Sequence, residues 1–289
     1  MANASLAATS TRPRGDSSAV SGAAAIGWLL AFILLEWARG KWLLAAPSTP
    51  AGLLGAVSAL EGLEVFLIVR MFNWRARGPN LGAIEAPALL ALIAFAGVVL
   101  SARPFFAAGV LALFILCRFG RSAEHRALAI AVFAFIAQYL LQAGPFIWLH
   151  ALVGRIDAAV LRWVLPRFGY DVTGHSTFVV RASRQFSINV LEGCASSYVA
   201  SVAIPGFVIV VLALRGRLQR SDLGYAIALL AAIVLVNWLR LAPIALSREG
   251  WLYWHQGAGG AIVAAADGVL VVGLAYLATR RRREAALPG

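Results

Sequence analysis

The side chains with the most chemistry to offer are a thiol, a guanidinium and an imidazole, each from a different part of the chain. Cys194 lies in Glu192-Gly193-Cys194-Ala195-Ser196-Ser197, Arg240 ends Asn237-Trp238-Leu239-Arg240, and His255 is followed by Gly257 and Gly260. Together they suit acyl transfer. A thiolate attacks a carbonyl carbon, and a nearby cation lowers the thiol pKa toward neutrality. A guanidinium stabilises the oxyanion of the tetrahedral intermediate, an effect often worth ~2.7–4 kcal/mol per donor. A histidine takes the thiol proton or protonates the leaving amine. Glu192 is a candidate to orient His255 or Arg240. Asn237 sits one turn before Arg240 on a similar helix face, where it would fix the guanidinium or bind a substrate backbone. Each residue also has a plainer reading: a cysteine as a small hydrophobe, an arginine snorkelling to an interface, a histidine as an ordinary interface residue. His150 and His175 are alternatives for the histidine role. Ser196 and Ser197 lack the Gly-x-Ser-x-Gly elbow of a serine nucleophile.

The elements that must carry these residues are apolar. The 289 residues are 61% hydrophobic and only 13% charged, with mean hydropathy +0.81. That composition predicts an all-α, polytopic integral membrane protein rather than a soluble domain. At ~20 apolar residues per spanning helix, about eight spans are expected: 21–44, 51–72, 84–100, 105–119, 127–153, 194–214, 222–245 and 257–279. Pro205-Gly206 is expected to kink the sixth. Residues 1–20 read as a disordered cytoplasmic tail, 21–279 as one transmembrane domain, and 280–289 as a basic cytoplasmic tail. Between spans five and six lies one long extracytoplasmic segment, 154–193. Its first part, 157–168, sets Val160, Leu161, Val164 and Leu165 on one side at helical spacing, which predicts a short interfacial helix ended by Gly169. Its second part, 171–191, is β-branched and polar, and reads as extended strands or an ordered loop. Glu36, Glu61, Glu64 and Asp267 fall within spans, where acids serve either function or structural pairing.

The net charge of +12 comes mostly from arginines in short clusters between apolar runs. That is the positive-inside pattern, without the aromatic interleaving of a nucleic-acid surface. With the C-terminal run Arg280-Arg281-Arg282-Arg283 inside, the clusters at Arg215/Arg217/Arg220, Arg118/Arg121/Arg126 and Arg70/Arg75/Arg77 also fall inside. Cys194, Arg240 and His255 then all reach the outer edge of the membrane. Cys117 falls at the inner edge, so no disulfide with Cys194 is expected. The two cysteines form no metal-ligand cluster, and no metal or organic cofactor is implied.

These three motifs, in this order and spacing, resemble the exosortase/archaeosortase family, over about 161–273 and including Phe168-Gly169-Tyr170-Asp171-Val172. The family pattern runs roughly Glu-Ala-Cys-Ser-Gly-Leu-Arg, then Asn-x-x-Arg, then His before Gly. This chain departs from it after the cysteine, with Ala195, Ser196 and Ser197-Tyr198 in place of Ser, Gly and Leu-Arg, as in a divergent branch. The resemblance implies a cysteine protease/transpeptidase in the prokaryotic inner membrane, with its active site on the outer face. Its partners would be exported proteins ending in a recognition motif, a transmembrane helix and a basic tail. By position, Cys194 would be the nucleophile, Arg240 the oxyanion stabiliser or carboxylate clamp, and His255 the general acid/base. The contrasting expectation is a non-catalytic transporter or assembly factor for surface polysaccharide that depends on the intramembrane acids, or an inactive family member.

Overall fold

The computed structural model describes residues 59–71, 123–142, 146–181 and 186–285. The expected spans 21–44, 84–100 and 105–119, the N-terminal tail, Glu36 and Cys117 lie outside these residues. The described chain is mostly helical. Helix α1 is Ala59–Met71, α2 is Ala123–Gln142 and α3 is Ile147–Val164, prolonged by a 3-10 turn at Leu165–Phe168. Three strands follow: β1 Val172–Thr173, β2 Phe178–Arg181 and β3 Phe186–Asn189. A second 3-10 turn, Glu192–Cys194, leads into α4, Ser196–Arg215. Then come α5 Asp222–Leu246, the single turn α6 Arg248–Trp251, a π-helical turn Leu252–Gln256, and α7 Ala258–Ala285. Among the described residues, three helices are long and apolar enough to cross a membrane: α4, α5 and α7 as far as Arg280.

Two sequence expectations change. The predicted fifth span, 127–153, is divided between α2 and α3. Ala143-Gly144-Pro145 separates them in sequence, and a proline both lacks an N–H and disfavours helix at the residue before it. The amphipathic helix of the long segment therefore begins ten residues earlier than its apolar spacing suggested. The chain is also not purely α: 171–191 contains a three-stranded antiparallel sheet in the order β1-β2-β3. β-Branched residues favour strands, and Val179, Val172 and Ile188 bury their side chains here. Gly169 does end the 3-10 turn, in a left-handed conformation (φ 83°) that glycine adopts without strain. Helix α4 runs unbroken through Pro205 and Gly206, and α7 continues past Thr279 through the arginine run.

Among the described residues, two packing clusters position the site. In the first, Phe207, Val210 and Val211 of α4 pack with Leu60 of α1, Leu229 and Ile233 of α5, and Val271 and Ala275 of α7. In the second, Val172, Val179, Ile188 and Val190 pack against Ala158 and Leu161 of α3 and Leu241 and Ile244 of α5. The sheet is thus fastened over the end of α5. Arg181 of β2 donates to the Leu246 carbonyl at 2.6 Å, satisfying an acceptor that a helix end leaves open. Arg162 of α3 donates to the Ser176 and Phe178 carbonyls. The outer faces of α5 and α7 expose Leu223, Ile227, Leu235, Leu239, Ile262 and Val269.

Helices α4, α5 and α7 alternate in direction, which gathers the start of α4, the end of α5 and the start of α7 at one end of the bundle. At the other end Arg215 forms an ion pair with Asp222 and donates to the Ala278 carbonyl at 3.4 Å. One arginine there bridges all three helices.

Candidate active site

Cys194 stands at the joint between the sheet segment and α4. Its N–H donates to the Leu191 carbonyl at 2.9 Å, closing the 3-10 turn. Its carbonyl accepts a hydrogen bond from Asn237 Nδ2 at 3.0 Å. Ala195 is extended and fully buried, and α4 begins at Ser196. The first turn of a helix leaves backbone N–H groups without intrahelical partners. Asp157 of α3 supplies one: its Oδ2 accepts from the Ser196 N–H at 2.7 Å, and its Oδ1 from the Ser196 hydroxyl at 3.0 Å. The same Oδ1 accepts from the Trp238 indole at 2.7 Å. A carboxylate at a helix N-terminus is also favoured by the helix dipole. One buried acid therefore locks α3, α4 and α5 around the cysteine. Gly154, one turn before Asp157, allows the close approach: a Cβ there would lie 2.9 Å from the Val190 carbonyl oxygen.

His255 comes from the far side. Ser247 caps α6 by accepting from the Gly250 N–H at 2.9 Å, and the π-helical turn that follows carries His255. Its ring stacks on Trp251, with centroids 5.3 Å apart. Its Nε2 lies 3.4 Å from Cys194 Sγ. Arg240 donates from Nε to the Trp254 carbonyl at 3.2 Å, tying α5 to the residue before the histidine. Gly259, in the first turn of α7, makes room for this arrangement, because a Cβ would fall 2.7 Å from the Trp254 ring.

The electrostatics depart from the sequence expectation. Arg240 does pull the Cys194 thiol toward ionisation, but burial outweighs it and the thiol pKa is raised above 9.0. Burial and the Arg240 charge both hold the His255 pKa below 6.5, against a smaller opposing backbone hydrogen bond. The resting pair is a neutral thiol facing a neutral imidazole.

Cys194 and His255 line a cavity of about 480 Å³ together with β3, Leu241, Ile244, Arg248 and Trp251. Arg240 lines a neighbouring cavity of about 270 Å³ with Glu61, Gly193, Tyr198 and Asp267. The three sequence candidates thus converge, with the sulfur and the ring in contact and Arg240 lining the neighbouring cavity. Asn237 turns toward the Cys194 and Ser196 oxygens, not toward the guanidinium. Glu192 opens the 3-10 turn that carries the cysteine; its side chain lies outside the described residues.

The other candidates are engaged elsewhere. His150 is buried, bonded to the Ser197 hydroxyl at 2.8 Å and the Leu141 carbonyl at 2.6 Å. His175 is exposed in the turn before β2, against Phe178. Asp157 and Trp251 were not read from sequence as part of the site. The available signal for Asp157 was its position on the same helical face as Leu161 and Leu165, where an acid must find donors if it is to be buried.

Compared with known proteins, the chain matches no family model, no curated protein and no solved structure.

Proposed function

We propose that this protein is a cysteine peptidase/transpeptidase of the inner membrane, a divergent relative of the exosortases and archaeosortases. In this reading it has about eight spans and cleaves the C-terminal sorting signals of exported proteins. The observation that carries it is the 3.4 Å contact between Cys194 Sγ and His255 Nε2, in the lining of one cavity and at the end of three apolar helices. The order of the motifs along the chain supports the family reading.

The chemistry follows from the neutral pair. As Sγ attacks the substrate carbonyl carbon, His255 Nε2 takes the thiol proton, so the proton of the neutral ring sits on Nδ1. The carbonyl π electrons move to oxygen, and the positive field of Arg240 favours that negative charge. The oxyanion then collapses, the C–N bond breaks, and His255 returns its proton to the leaving amine. A thioester on Cys194 remains. An acceptor amine or water attacks it and gives up a proton to His255; the C–S bond then breaks, and His255 returns that proton to the leaving sulfur. The stacking of Trp251 on the ring restrains its rotation.

Arg215, Arg217 and Arg220 lie at the end of the bundle away from Cys194, which supports an outer-face site under the positive-inside rule. The test is a cell carrying a tagged exported protein that ends in a motif, an apolar helix and a basic tail. Cys194→Ala is expected to leave the precursor full length while the variant still inserts in the membrane. Full processing by that variant would refute the reading.

The cavity that joins Glu61, Arg240 and Asp267 favours a second reading, a transporter or assembly factor that uses these acids without covalent chemistry. It predicts that Asp267→Asn abolishes function while Cys194→Ala preserves it.

A further inference from the structure

The edge of the sheet leads to the sulfur, and the register of the strands defines what that edge offers. β3 pairs with β2 on one side only, with Val179 opposite Ile188 and Val180 opposite Ser187. The Val190 N–H donates to the Thr177 carbonyl at 2.9 Å. In an antiparallel ladder, hydrogen-bonded and non-bonded pairs alternate. Val190, Ile188 and Phe186 therefore exchange bonds with β2, and the backbone N–H and C=O of Ser187 and Asn189 point away from it. Among the described residues no strand covers that outer edge. The Asn189 carbonyl is taken up by the Leu191 N–H at 3.0 Å, which ends the ladder just before the turn to Cys194. The outward N–H and C=O of Ser187 and the outward N–H of Asn189 line up beside the cavity that holds the sulfur.

That cavity is lined by every residue from Phe186 to Leu191, together with Leu241, Ile244, Trp251, His255 and Cys194. An apolar floor along a strand edge fits an extended chain. The edge supplies main-chain hydrogen bonds, and the floor takes alternate side chains.

We propose that the outer edge of β3 is the substrate-docking site, and that it takes the acyl side of the scissile bond as an added β-strand. This rests on the peptidase reading above and names its substrate class: an extended, unstructured peptide rather than a helix. β3 runs toward Cys194, so a segment whose C-terminal carbonyl reaches the sulfur lies parallel to β3. The Ser187 N–H and C=O hold its backbone, with small or branched apolar side chains on Leu241 and Ile244 at alternate positions. Recognition by main-chain bonds also excludes a helical substrate, whose own backbone groups are already paired. The transmembrane helix of a sorting signal therefore stays outside the groove, and only the stretch preceding it enters.

The test uses covalent labelling of Cys194 in the full-length protein in detergent, which needs no knowledge of the natural substrate. The probe is an acetyl tetrapeptide with valine at alternate positions and a C-terminal vinyl sulfone. The thiol adds across its double bond, sulfur to one carbon and proton to the other. The controls are the same peptide N-methylated at alternate backbone nitrogens, and methyl vinyl sulfone. The tetrapeptide is expected to react at least about tenfold faster than its N-methylated form, the effect of one to two lost hydrogen bonds. Ser187→Pro, which removes only an outward N–H and is tolerated at a strand edge, should abolish that preference while leaving the methyl vinyl sulfone rate unchanged. Ser187→Ala should keep the preference. Should Ser187→Pro slow all three reagents, the two peptides on the native protein decide alone. Equal rates for the two peptides would overturn strand docking even if Cys194 proves catalytic. A preserved preference beside full processing by Cys194→Ala would remove the peptidase reading and leave a peptide-binding groove.

Discussion

At the scale of single residues, the site balances two opposing effects on one sulfur. Burial raises the Cys194 pKa and Arg240 lowers it, with burial the larger. A raised pKa means that thiolate appears later as pH increases. Alkylation of Cys194 by a small neutral reagent should therefore be slow at neutral pH and still rising beyond 9.0, the ordinary thiol value. Arg240→Gln removes the lowering influence, so its rate-against-pH curve should shift further to the alkaline side; stopped-time alkylation with mass spectrometry reads both. His255 behaves in the opposite sense. A lowered pKa keeps the imidazole neutral, and able to accept a proton, to pH values below 6.5. The acid limb of the kcat/KM profile should accordingly lie below the ordinary histidine range. His255→Ala should reduce turnover by roughly 10²–10⁴-fold, the usual contribution of a placed acid–base group, without altering membrane insertion.

At the scale of elements, the site depends on a contact made away from the sulfur. Asp157 joins the start of α4, the indole of Trp238 on α5 and its own helix α3 through hydrogen bonds of 2.7, 3.0 and 2.7 Å. Asp157→Ala should destabilise the protein by about 1–3 kcal/mol, because it removes a helix cap and leaves buried donors unpaired. A lowered melting temperature in detergent would show this, together with slower labelling of Cys194 as its turn loosens. Gly154 sets a similar condition for a different reason. Any side chain there meets the Val190 carbonyl oxygen, so Gly154→Leu should displace the sheet segment from α3. The same assay should register it as a loss at least comparable to core overpacking, about 1–3 kcal/mol.

For the whole molecule, the decisive feature is that its two ends differ in chemistry. One end gathers the thiol, the imidazole and the strand edge. The other holds Arg215, paired with Asp222 and bonded to α7, with Arg217 and Arg220 nearby in the α4–α5 turn. The orientation proposed above places the first end outside. In intact cells, a membrane-impermeant thiol reagent should reach Cys194, whereas a cysteine introduced as Ser221→Cys, in a chain lacking both native cysteines, should react only after permeabilisation. The reverse pattern would invert the topology and move the site to the cytoplasmic face.

What the sequence determined by itself was everything that depends on local composition. Runs of apolar residues long enough to span a bilayer marked α4, α5 and the start of α7 to within two residues. Glycine after an amphipathic turn marked the stop at Gly169. Counting residues along the helices brought Cys194, Arg240 and His255 to one depth. Only the tertiary structure decided what lies beside what. It turned Asn237 toward the cysteine backbone, put Asp157 under α4, engaged His150 with Ser197, and divided the expected fifth span into two helices. It also reversed the expected sign of the thiol shift. The physical reason is the same in each case. Hydropathy and propensity are sums over neighbours in the chain, whereas desolvation and hydrogen-bond partnership are set by groups that the chain brings back from far along the sequence, as Trp238 is brought to Asp157 across 81 positions.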